Sequence, residues 1–150
     1  MQFFIDFEFI EDGTTIDPIS VGIAAEDGRT YYAEFSQCDL TRADEWVQAN
    51  VLPHLIGEGF HRLRIAAEII EFVGSDPEFW GYYADYDWVA LCQLYGRMID
   101  LPDGWPMFCR DVKQLSVDRG VAIAVPEPVN EHHALADALW AKAAYEQVDT

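Results

Sequence analysis

Two Asp-Gly pairs, Asp12-Gly13 and Asp27-Gly28, divide residues 2–35 into three apolar runs. Asp-Gly closes a tight turn between antiparallel strands readily, because Gly takes the positive φ such a turn requires. The runs are residues 2–9, Ile16 to Ala25 and Arg29 to Phe35, each rich in aromatic or branched side chains. Runs of that length between such turns predict an antiparallel meander of three strands. In the first run Phe3, Ile5, Phe7 and Phe9 alternate with Phe4, Asp6 and Glu8. Alternation on a strand puts i and i+2 on one face, so Asp6 and Glu8 project together from an otherwise apolar segment.

The pattern then changes. Thr41 to about Leu55 has helical spacing through Trp46, Val47, Val51 and Leu55, and a Gly-rich break follows at Gly57 to Gly59. Arg62 to Val73 is a second amphipathic stretch through Leu63, Ala66, Ala67, Ile70 and Val73. Glu78 to Tyr83 reads as a strand, Asp87 to Tyr95 as a helix stopped by Gly96, and Phe108 as part of a short strand. Asp111 to Arg119 and His133 to Gln147 read as helices, with Pro-containing loops at Pro102–Pro106 and Ala122–Val129. Three antiparallel strands followed by alternating helix and strand predict an α/β fold with a mixed sheet of five strands flanked by helices. No repeat, low-complexity segment or linker divides the chain, so residues 1–150 are expected to form a single domain.

Composition removes several classes. Hydrophobic residues make up 51% of the 150 residues, enough for a core and too many for a disordered tail. No apolar run approaches the ~20 residues of a membrane span. The start, Met1 to Asp6, has no basic segment and meets a carboxylate too early for a signal peptide. A cytoplasmic protein without a membrane partner is the expectation. The three cysteines, Cys38, Cys92 and Cys109, are odd in number and widely spaced, which fits neither a disulfide framework nor a zinc motif. Net charge is −18, with 27 acids against 9 bases, and that argues against a nucleic-acid partner held by a basic surface.

Three constellations carry chemistry. Unpaired like charges in an apolar segment cost free energy, and a shared hard cation offsets that cost for Asp6 and Glu8. A solvated face of an edge strand explains the same pair. In Asp85-Tyr86-Asp87-Trp88, an Asp at a strand-to-helix junction stands where α/β sheets bind ligands, and equally where a helix takes its N-cap. In Glu131-His132-His133-Ala134-Leu135-Ala136-Asp137, His133 and Asp137 would share a helical face. His132 and Asp137 would diverge by about 140° on a continuous helix, so they converge only if His132 precedes it.

Asp6-x-Glu8, Tyr86-Asp87-x3-Leu91 and His132-x4-Asp137, in this order, resemble the three motifs of the DEDDh exonucleases, the family of RNase T and DnaQ-like proofreading domains. The string His-x-Ala-Leu-x-Asp-Ala is the most specific part, and Ile19-Ser20-Val21-Gly22 resembles the family's second strand. The run Trp88 to Gly96 looks closest to the small mycobacterial-type 3′-5′ exoribonucleases. Two positions depart from the pattern. Phe9 follows Glu8 where Thr is common, and Tyr82-Tyr83-Ala84-Asp85 lacks the Asn or His that often precedes the second motif.

The resemblance implies a ribonuclease H-like fold and two divalent ions, Mg²⁺ or Mn²⁺, on Asp6, Glu8, Asp87 and Asp137. It implies His132 as general base and release of nucleoside 5′-monophosphates from the 3′ end of single-stranded RNA or a 3′ overhang. Related stand-alone members are often dimers, so a homodimer is a further expectation. Phe9 and Tyr86 are candidates for stacking on a base, and Arg110 for a phosphate contact, with Lys113, Arg62 and Arg64 behind it. Trp88 fits the core better. His54 and His61 match nothing. A DNA exonuclease and a non-catalytic binding module of the same fold are the alternatives.

Overall fold

The computed structural model describes residues 1–150. Both Asp-Gly turns close between strands. Asp12 accepts hydrogen bonds from the amides of Thr14 and Thr15, at 2.9 and 2.7 Å, and Gly13 and Gly28 have φ of 84° and 92°. Strands β1 (Gln2–Glu11), β2 (Ile16–Ala25) and β3 (Thr30–Phe35) form the expected antiparallel meander. On its other side β1 pairs in parallel with β5 (Glu78–Gly81), which pairs in parallel with β6 (Arg110–Asp111). The mixed sheet has six strands, in the order β4-β3-β2-β1-β5-β6, and not five. The additional strand is β4 (Gly59–Phe60), parallel to the end of β3 in the stretch that reads as a Gly-rich break. Two residues leave no apolar run in a sequence. For the same reason the last strand lies at Arg110–Asp111 and not at Phe108.

Alternation on β1 sorts the core into two layers. Phe3, Ile5 and Phe7 join Val21 and Ile23 of β2 beneath α2 (Arg62–Val73) and α3 (Asp85–Tyr95). Each fully buried side chain of this size contributes roughly 1.5–3 kcal/mol. On the opposite face Phe4, Ala24 and Trp80 pack under α4 (Val112–Arg119) and α5 (Ala134–Val148). The stretch read as one helix from Thr41 is broken. A 3₁₀ turn at Leu40–Arg42, α1 (Glu45–Asn50) and a second 3₁₀ turn at Leu52–His54 follow one another. The Asp44 carboxylate accepts from the Val47 amide and starts α1 afresh, and Pro53 cannot continue it. No helix is long and apolar enough to cross a membrane.

Gly22 decides how closely α5 lies on the sheet. A Cβ there would come within 2.3 Å of the Ala134 carbonyl carbon and the Leu135 amide nitrogen, both backbone atoms. The buried alanines Ala134, Ala138, Ala141 and Ala144 continue this close approach along the helix. Gly22 is the cross-strand partner of Asp6, so the start of α5 is pressed against the carboxylate pair. Gly22→Ala is expected to cost ~1–3 kcal/mol from overpacking. Thermal unfolding should show a loss of several degrees. An unchanged melting temperature would contradict the close contact.

Candidate metal centre and active site

Asp6 and Glu8 leave β1 beyond the point where β5 ends its pairing, at the carboxyl edge where open α/β sheets bind ligands. The register of β1 against β2 shifts between Glu8 and Phe9. A bulge there re-aims the side chains that follow it. Past β5, the amide of Phe7 is free on that side, and it donates to Asp87 Oδ1 at 2.7 Å. This bond brings the first turn of α3 to β1 and buries Asp87. Asp85 is exposed, opens α3 without serving as its N-cap, and lines another cavity with Asp111. Asp111 accepts from the Ala84 amide at 2.9 Å and from the Gln114 amide at 3.0 Å, tying the loop before Asp87 to α4.

The third segment is the entry to α5. His133 is its N-cap, and its Nδ1 accepts from the Ala136 amide at 3.4 Å. His132 lies before the helix with φ of 69°, in the left-handed region that a β-carbon disfavours. That turn of the chain lets its backbone amide donate to Asp137 Oδ2 at 2.8 Å. One ligand atom each from Glu8, His132 and Asp137 lie within 4.8 Å of one another. Asp6, His132 and Asp137 line a cavity of about 150 Å³ with Tyr82, Glu127, Glu131 and Trp140.

The electrostatics of this group are strained. None of the molecule's ion pairs involves Asp6, Glu8, Asp87 or Asp137. Burial raises the Asp6 pKa well above the carboxylate range, and the charges of Asp87, Glu8 and Asp137 raise it further. Burial, then Asp137 and Asp87, push Glu8 up to about 8. Burial lifts Asp87 to about 7 against the opposing Phe7 hydrogen bond, and lifts Asp137 to about 6 against the His132 bond. Asp6 Oδ2 is sealed from solvent and has no hydrogen-bond partner. Buried polar atoms in folded proteins almost always have one. Four carboxylates that no lysine or arginine pairs, one with an orphaned oxygen, are a donor set that fits hard divalent ions.

The sequence model described as "3'-5' exoribonuclease Rv2179c-like domain" matches residues 1–148. The chain belongs to that family. With it the chain falls among the exonuclease enzymes. It is 45% identical over 146 residues to the 3'-5' exoribonuclease Rv2179c of Mycobacterium tuberculosis strain ATCC 25618 / H37Rv, with 92% of this chain and 87% of that protein covered. The figures are the same for 3'-5' exoribonuclease MT2234.1 of strain CDC 1551 / Oshkosh. Among solved structures, a chain in that of the yeast NOT1 MIF4G domain co-crystallized with CAF1 aligns over 93% of this chain and 76% of its own length. Its TM-score is 0.50 at 12% identity, a likeness of fold alone.

Phe9 is half-buried beside Tyr86, ring centroids 5.9 Å apart, and Tyr86 is 48% exposed. Trp88 tilts against Phe79 in the core at 5.5 Å. Arg110 lies elsewhere, 3.4 Å from Glu78 and over the Trp80 ring, and it lines cavities that do not contain Asp6. Sequence reasoning missed Trp46, which it placed on the apolar face of a long helix. Trp46 is 53% exposed and packs edge-to-face with His132, ring centroids 4.8 Å apart. It also missed Glu127 and Glu131, which come from an aperiodic loop. Glu131 lies 3.6 Å from His132 Nε2.

Proposed function

We propose that the chain is a metal-dependent 3′-5′ exoribonuclease of the DEDDh type, with a ribonuclease H-like fold, releasing nucleoside 5′-monophosphates from RNA 3′ ends. The observation that carries this reading is the convergence of four carboxylates, from three distant segments, around an orphaned oxygen of Asp6. Asp6, Glu8, Asp87 and Asp137 would hold two Mg²⁺ or Mn²⁺ ions. When bound, such ions neutralise the scissile phosphate and acidify the attacking water.

His132 takes the proton of that water as general base, a task suited to an imidazole near neutral pH. Its backbone bond to Asp137 and its contact with the Trp46 ring hold it at the mouth of the cage. The new bond joins the water oxygen to phosphorus, and the bond to the 3′ oxygen breaks. That oxygen leaves as the new RNA end and takes its proton from solvent. Trp46, Tyr86 and Phe9 offer faces for the terminal bases, each stack being worth ~1–3 kcal/mol. The three cysteines are free thiols, in keeping with a cytoplasmic site of action.

A side-by-side digestion tests the assignment. Single-stranded RNA, single-stranded DNA and 3′-overhang duplexes are incubated with Mg²⁺, Mn²⁺ or a chelator. Release of 5′-mononucleotides from RNA, lost with the chelator, is the expected result. Preference for DNA would make this a DNA exonuclease. Inertness on all three would leave a binding module of the same fold.

A further inference from the structure

The nine lysines and arginines are few, and the fold employs nearly all of them itself. Every one except Lys113 pairs with an acid of the chain or donates to a backbone carbonyl. Arg62 donates to the Gln93 carbonyl at 3.0 Å, and Arg64 pairs with Glu68 at 2.7 Å while covering the Phe60 ring. Lys142 reaches the carbonyls of Ala25 and Glu26. No lysine or arginine lines the cavity of Asp6, His132 and Asp137. Its other charged walls are Glu127 and Glu131.

A protein that tracks a nucleic-acid backbone does so with free cations along a groove, and its affinity falls steeply with salt. One that neutralises 6–10 phosphates loses ~10³–10⁵ in affinity between 50 and 200 mM salt. Beside the cage this chain presents Glu127 and Glu131 instead. Each phosphate beyond the cage meets repulsion from a chain whose 27 acids outnumber its 9 lysines and arginines.

Resting on the exoribonuclease reading above, we propose that the enzyme grips only the 3′-terminal nucleotides of RNA, through the carboxylate cage and the rings of Trp46 and Tyr86. It is therefore suited to short oligoribonucleotides and leaves its substrate after each cut. Length adds no binding energy, and salt removes none, because no counterions are released from a basic track. Salt instead screens the repulsion between the acidic surface and a long strand.

The test compares a tetranucleotide with a 20-mer ending in the same four nucleotides, at saturating Mg²⁺ and at 50 and 200 mM KCl. Two quantities are read: kcat/KM for the wild type, and affinity by fluorescence anisotropy for His132→Ala with 5′-labelled RNA. The expected 20-mer values equal the tetranucleotide's, fall below them, or exceed them by less than threefold at either salt concentration. They fall by less than threefold across the salt range. A 20-mer that is favoured threefold or more, or that loses threefold or more to salt, would overturn the inference while leaving the exoribonuclease reading intact. If neither RNA is cut or bound, both fail.

Discussion

Asp6→Asn is expected to abolish Mg²⁺-dependent nucleotide release and at the same time to raise the melting temperature of the metal-free protein at pH 8. The two effects have one origin. Asp6 is held among Asp87, Glu8 and Asp137, and its sealed Oδ2 has no donor. The native pKa values of Asp6, Glu8 and Asp87 all stand above the unfolded values, near 4. Between about pH 4 and about 8 the native state therefore binds more protons than the unfolded chain, and stability falls as pH rises. These groups contribute fully below that window, and their contribution is lost as pH passes through their native pKa values. An Asn carries no charge to be lost, so the advantage of the variant should be small at pH 5 and widen by pH 8. Saturating Mg²⁺ reverses the order. A ligand at 100 times its Kd adds about 2.7 kcal/mol to the state that binds it, and only the wild type has the cage. An Asn variant that melts lower at every pH, or that keeps its activity, would contradict this picture.

His132→Ala is the second large effect. Removing a positioned general base costs ~10²–10⁴-fold in kcat. The bond to Asp137 comes from the backbone of residue 132, so the variant should retain its fold and its affinity for Mn²⁺. His133→Ala separates the neighbours. The His133 side chain caps α5 and stacks on Tyr32 with ring centroids 4.5 Å apart. Its loss should cost ~0.5–2 kcal/mol of stability, as for other N-caps. Its kcat should stay within about tenfold of the wild type, well short of the loss of a general base. Steady-state kinetics and thermal unfolding on both variants read this out, and the reverse pattern would exchange the roles of the two histidines.

The parts of this fold that a sequence displays are those written in periodicity and turn chemistry. The meander was legible because Asp12-Gly13 and Asp27-Gly28 punctuate long apolar runs. Strand β4 was not, because a two-residue pairing depends on what lies beside it. The helix at Thr41 was drawn too long, since spacing through Val47 and Val51 takes no account of the Asp44 cap or of Pro53. For the candidate site, the apposition of Asp6 and Glu8 followed from strand geometry. That of His132 and Asp137 required a left-handed residue at 132, a conformation uncommon for any residue but glycine and not marked by the local sequence. Glu127, Glu131 and Trp46 reach the same mouth through tertiary packing alone.

Binding of the metal can be observed without RNA. Glu8 and Asp87, at about 8 and about 7, are largely or partly protonated at pH 7 in the metal-free protein, so cation binding there must expel protons. Calorimetric titration of Mn²⁺ into the wild type at pH 7, in two buffers of different ionisation enthalpy, measures stoichiometry and proton release together. The prediction is two ions per chain with net release of protons, and loss of that binding in Asp6→Asn. Binding without proton release, or equal binding by Asp6→Asn, would contradict the carboxylate cage as the metal centre.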